Sequence, residues 1–138
     1  MPPAPSAATP LSFELGGFAF GIHDGDAFGF GGGVQVGLHF PHWLGLEAVM
    51  AGSSQRERAM ERGTAAYRLF SLGVGGNARR TWRVAFVDLG VMPEATLLTV
   101  SGRNLQSGRN ATRWGLAAAA RARFGLVYGG WRPFLFMG

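Results

Sequence analysis

TRWGLAAAARARFGL, residues 112–126, decides the fold. With period two it separates into two faces. Trp114, Leu116, Ala118, Ala120, Ala122, Phe124 and Leu126 share one, and Arg113, Gly115, Ala117, Ala119, Arg121, Arg123 and Gly125 share the other. Successive side chains of an extended chain point to opposite faces, so the segment reads as an amphipathic strand. As a helix it would set Arg113, Arg121 and Arg123 at about 0°, 80° and 280°, leaving no clean apolar stripe. It is longer than the usual strand of about five or six residues. A strand crossing a bilayer at a tilt needs roughly 9–11 residues. The expectation is therefore a membrane-spanning strand of a closed barrel, apolar outward and guanidinium inward.

Working outward, 28–40 (FGFGGGVQVGLHF) alternates most regularly. Phe28, Phe30, Val34, Val36, Leu38 and Phe40 lie on one face, with Gly29, Gly31, Gly33, Gln35, Gly37 and His39 on the other. The glycine run lacks full GxGxxG spacing and no helix follows it, so it is not a phosphate loop. The strand 44–52 puts Leu44, Leu46, Ala48 and Met50 outward and Glu47 inward. A fourth strand is expected at about 65–77. A fifth at about 82–100 has Val87, Leu89 and Val91 outward and Phe86, Asp88, Met92 and Glu94 inward, with a bulge at Pro93 because proline lacks a ladder donor. The first strand, 11–22, changes parity between Leu15 and Phe18. A bulge at Gly16–Gly17 would keep all its large side chains outside and turn Glu14 inward. A seventh begins at Arg132. Residues 1–10 (MPPAPSAATP) read as a flexible periplasmic leader, and 11–138 as the barrel domain.

Composition agrees. The chain has 138 residues, enough for one domain, with 23 glycines and only 15% charged residues against a usual ~25%. All 13 basic residues are arginine, and the net charge of +5 is not taken to indicate nucleic acid. Cysteine is absent, which excludes disulfides, thiol catalysis and cysteine zinc sites. Residues 27–46 carry no Asp, Glu or Arg, but six glycines and Pro41 make a membrane helix untenable. No signal peptide is visible in 1–10, so an exported chain would have lost it.

Three regularities span the chain. Connections alternate between longer ones (23–27, 53–64, 101–111) and short ones (41–43, 78–81, around Gly129), as short periplasmic turns alternate with long outer loops in bacterial barrels. Trp43, Trp82, Tyr128 and Trp131 adjoin the short turns and Trp114 the other end, predicting interfacial girdles. The strand acids Glu14, Glu47, Asp88 and Glu94 share the inward parity with Arg113, Arg121 and Arg123, predicting a lumen of ion pairs, with Gln35 and His39 as polar neighbours. If partners in the fifth and sixth strands sum to about 213, Glu94 is one diagonal step from Arg121 and Asp88 from Arg123.

FGFGGGVQVGLHF, LGLEAVM with its following charged loop, and RWGLAAAARARFGLVYGGWRPFLF together resemble the small bacterial outer-membrane β-barrels of the OmpA and OmpX type. The resemblance covers nearly everything after residue 10. It implies an all-β, antiparallel up-and-down transmembrane barrel of nominally eight strands, of which seven are visible, with a final strand expected for closure. It also implies a monomer in the Gram-negative outer membrane, without cofactor or metal and with a structural or adhesive role or a very narrow pore. Arg56, Arg58, Arg62, Arg103 and Arg109 in the outer loops become candidate contacts for lipopolysaccharide phosphates. A barrel-borne lipid A-modifying enzyme is the catalytic alternative. It lacks support because no serine shares a strand face within two residues of any histidine. A soluble lipocalin-like barrel would place the same faces the other way round.

Overall fold

The computed structural model describes residues 11–24, 27–41, 43–60, 63–103 and 110–137. Every regular element among them is a strand. They are β1 (Ser12–Asp24), β2 (Ala27–His39), β3 (Leu44–Ser53), β4 (Arg56–Met60), β5 (Gly63–Thr81), β6 (Ala85–Arg103), β7 (Ala111–Leu126) and β8 (Phe134–Met137). The segment 112–126 is therefore extended, within β7. Its helical alternative fails because only a strand sorts its arginines from its apolar residues.

The sheet is antiparallel and follows chain order, β1-β2-β3-β5-β6-β7-β8, with β4 pairing the first part of β5. It curls into an open barrel. Flat, with about 4.8 Å per strand, β7 would lie roughly 24 Å from β1. Instead Arg123 Nη1 of β7 comes within 3.9 Å of Glu14 Oε1 of β1. The strand faces alternate as up-and-down geometry demands. Val34, Leu116 and Phe124 are 46%, 89% and 45% exposed on the outer wall. The interior is inverted in polarity: its buried residues include Glu47, Asp88, Arg79 and Arg123 as well as Val49, Phe86 and Met92.

Several expectations need correction. No bulge occurs at Gly16–Gly17, because β1 pairs β2 in one unbroken register from Ser12↔His39 to Asp24↔Ala27. Glu14 faces inward without it, and Phe18 and Phe20 turn into the lumen as well. The inward glycines of β2 make room for them. Phe18 lies opposite Gly33 and Phe20 opposite Gly31. A Cβ on Gly33 would meet Phe18 Cζ at 2.6 Å and would also collide with the Met50 carbonyl oxygen. Gly33→Ala is therefore expected to cost about 1–3 kcal/mol as an overpacking change, read as a lower urea midpoint.

Pro93 produces no bulge either. The β5–β6 register is the same on both sides of a lapse in pairing opposite Met92 and Pro93, while Pro93 still pairs Ala118 of β7. The missing donor thus interrupts one ladder without inserting a residue. Partners in β6 and β7 sum to 211, as in Asp88↔Arg123, a slip of two from the expected 213. A slip of two preserves every inward–outward assignment. The expected 53–64 loop also contains a strand, since Arg56–Met60 forms β4 and extends the wall of β3 along β5.

Candidate functional site

An ionic cluster joins strands that are remote in sequence. Asp88, 1% exposed on β6, is its hub. Its carboxylate accepts hydrogen bonds from Asn77 Nδ2 at 2.9 and 2.8 Å, from Arg79 Nε at 3.0 Å and from Arg123 Nη2 at 2.6 Å. Arg79 leaves β5 on the inward parity. It also pairs with both carboxylate oxygens of Glu14 on β1, and its guanidinium lies 4.8 Å from the centre of the Phe86 ring. Arg123 leaves β7 and donates to Glu47 Oε2 of β3 at 2.6 Å. Arg132, just before β8, reaches Glu14 Oε2 at 3.3 Å. His39 Nε2 stands 3.5 Å from that same oxygen.

The cluster sets Glu14, Glu47 and Asp88 against Arg79, Arg123 and Arg132, so formal charge balances within it. Balance is required because an unpaired charge in a narrow interior bears a desolvation cost that no partner offsets. Bidentate geometry at Arg79 further fixes the relative positions of β1, β5 and β6.

Most of the predicted lumen residues meet here. Glu14, Glu47, Asp88 and Arg123 belong to the cluster, and His39 borders it. Glu94 and Arg121 form a longer pair at 3.6 Å. Gln35 is buried beside a void of about 10 Å³ shared with Phe18, Glu47, Arg121, Arg123 and Phe134. That void holds no more than about one water. Arg113 was expected in the lumen network, but it is exposed and makes no ion pair among the described residues. It lies towards the Ala111 end of β7, four residues from the position opposite Glu94, whose carboxylate pairs with Arg121 instead.

Arg56 also needs correction. It sits in β4 rather than a loop, is 8% exposed and lies 4.8 Å from the centre of the Tyr67 ring. Arg58 is exposed, but it too lies in β4 rather than in a loop, paired with Ala65. Arg62, Arg109 and the side chain of Arg103 lie outside the described residues. The predicted girdle residues Trp43, Trp82, Trp114, Tyr128 and Trp131 are all exposed.

Sequence reasoning missed Arg79, Asn77 and Arg132 as cluster members. Strand parity puts Asn77 on the same face as Ser71 and Gly73, and continuing it by two residues reaches Arg79. Reading 78–81 as a turn ended the strand too early; β5 runs to Thr81. Among the described residues no group of three or more His, Cys, Asp or Glu is placed to hold a metal. The geometry supports a fixed ionic lock and offers no nucleophile–base pair within it. Comparison with family models, curated proteins and solved structures returns no match for this chain.

Proposed function

We propose that the chain is an integral outer-membrane β-barrel protein of the OmpA/OmpX kind, with a structural or adhesive role. One observation carries this reading: large apolar side chains are exposed around the outer wall while Glu47, Asp88, Arg79 and Arg123 are buried inside it. Phe13, Leu46, Leu72, Val91, Leu116 and Leu135 are each at least half exposed on different strands. A soluble monomer rarely leaves a continuous apolar surface beyond a few hundred Å². Lipid is the solvent that such a wall suits.

The tryptophans support the same orientation. Trp43, Trp82 and Trp131 fall at the connections β2–β3, β5–β6 and β7–β8, which share one end of an up-and-down sheet. Trp114 lies towards the opposite end. Rings at two levels match the aromatic belts of membrane barrels. A lipocalin-like barrel is disfavoured because its lumen would have to be apolar, whereas Asp88 and Arg123 occupy this one. The ionic lock fills its level of the lumen with paired side chains, which argues against solute passage there. Exposed Arg58 of β4, with the arginines of the outer connections, would meet anionic phosphates of the lipopolysaccharide layer.

Purification tests the reading directly. The chain is expected to be monodisperse in detergent micelles and to aggregate when detergent is withdrawn. It should also resist alkaline extraction from liposomes and give them no ion conductance. A monodisperse chain in detergent-free buffer would overturn the membrane assignment.

A further inference from the structure

The end of the lumen at which β1 joins β2 and β6 joins β7 carries arginine where the other end carries ion pairs. Arg56 of β4 lies opposite Tyr67 of β5, and its side chain enters the lumen. Its stem lies over the inward face of Gly29 on β2, where a Cβ would collide with Arg56 Cδ and meet its Cγ at 2.8 Å. The residue is 8% exposed, and its Nε and Nη1 are buried without a hydrogen-bond partner. The Tyr67 ring, 4.8 Å from the guanidinium carbon, stabilises the charge but accepts no hydrogen bond from either nitrogen. Arginine keeps its proton at any pH the fold meets. Buried donors of this kind are rarely left unmet in native proteins, and a buried cation without an anion is costly.

No carboxylate among the described side chains is placed to serve it. The ionic lock is remote: Arg79 is twelve residues along β5 from Tyr67, about 40 Å at the rise of a strand. Glu94 stands opposite Gly73, six residues or about 20 Å along, and pairs with Arg121. Glu57 lies on the other face of β4 and accepts a hydrogen bond from Gln55 Nε2 at 3.4 Å. Two further arginines share the inward face at this end. Arg58 follows Arg56 by two residues. Arg113 lies opposite Leu98, which lies opposite Leu69, one same-face step from Tyr67. Both are exposed.

We propose that Arg56 anchors a binding site for a phosphate group in this mouth of the lumen, with Arg58 and Arg113 supplying the surrounding positive field. Charge selects phosphate over carboxylate. A carboxylate offsets one of the three positive charges, whereas a phosphate group carries about −1.5 to −2 at pH 7 and presents more acceptor oxygens to a guanidinium. The buried Nε and Nη1 then gain the acceptors they lack. Free phosphate and a phospholipid headgroup present the same chemistry, and the test separates them. The inference goes beyond the proposed function and does not rest on it, because the unmatched charge lies inside the lumen in water or in lipid alike.

The whole chain is titrated with inorganic phosphate by isothermal calorimetry, in whichever solvent keeps it monodisperse, against chloride at matched ionic strength. Saturable binding is expected. Arg56→Gln should weaken it about tenfold or more, the loss of a charge-assisted hydrogen bond. Arg80→Gln, exposed at the opposite end of β5, should leave it unchanged. A second arm uses lysophosphatidic acid in zwitterionic micelles. Binding in the first arm assigns a free anion as the source, and binding in the second alone assigns a lipid headgroup; either supports the site. Phosphate should also raise the urea midpoint of the parent chain and not that of Arg56→Gln. The proposal is overturned if neither arm shows saturable binding above the chloride control, or if Arg80→Gln weakens binding as much as Arg56→Gln. It is overturned too if Arg56→Gln in phosphate-free chloride lowers the urea midpoint as far as Asp88→Ala, the mark of a carboxylate partner within the chain.

Discussion

Asp88→Ala is expected to destabilise the barrel by about 3–5 kcal/mol, the range for breaking a buried ion pair from one side. The loss exceeds that of one hydrogen bond because Asp88 is shared. Its removal leaves Arg79 and Arg123, 8% and 5% exposed, with one carboxylate fewer between them. It also strips Asn77 Nδ2 of both its acceptors. The cluster passes from neutrality to a net positive charge that the narrow lumen cannot hydrate. Asp88→Asn keeps the shape and part of the acceptor capacity, and should lose less. Arg58→Ala, at an exposed position, should stay within about 0.5 kcal/mol. Urea unfolding of the three variants in the same detergent measures the order. If Asp88→Ala and Arg58→Ala are equivalent, the lock is not a source of stability.

Much of this lock is legible in the sequence, for a geometrical reason. Parity along a strand is a local property, so Glu47, Asp88 and Arg123 can be assigned inward before any partner is known. What stays hidden depends on pairing. A slip of two residues between β6 and β7 leaves every face unchanged, and hydrophobic alternation cannot detect it. The true register sets Asp88 directly opposite Arg123, where the expected one made them diagonal neighbours. Phe18 and Phe20 are a second case. The rule that large apolar side chains point outward demanded a bulge in β1. The compensating signal was the glycine row of β2, which becomes meaningful only once Gly31 and Gly33 are known to face those rings. β4 escaped because RERAM is charged on both parities and has no apolar face to mark it. The outer arginines are the least legible part, since charge sign alone does not distinguish a loop cation from Arg56, which lies over an aromatic ring inside the wall.

Val91→Arg separates a wall that faces lipid from one that faces water. Val91 is 68% exposed on β6 and pairs Gly76 of β5 and Ala120 of β7. Along β7, Ala120 lies between Trp114 at one end and Leu126 at the other, which puts the site near the middle of the apolar band. A guanidinium there would leave the ionic lock untouched, because the side chain points away from it. In water, an exposed strand position accepts arginine within about 0.5 kcal/mol. At a bilayer midplane the same substitution costs about 2–4 kcal/mol, falling to about 0–1 near the interfaces. Val91→Arg is therefore expected to lower stability in liposomes by about 2–4 kcal/mol, whereas Trp82→Arg at the short-turn end should cost about 1 kcal/mol or less on account of charge. The gradient with depth is the decisive quantity, since general damage to packing would not follow distance from the band's centre. Equal, small effects at both positions would mean that the outer wall does not meet hydrocarbon, whatever its side chains suggest.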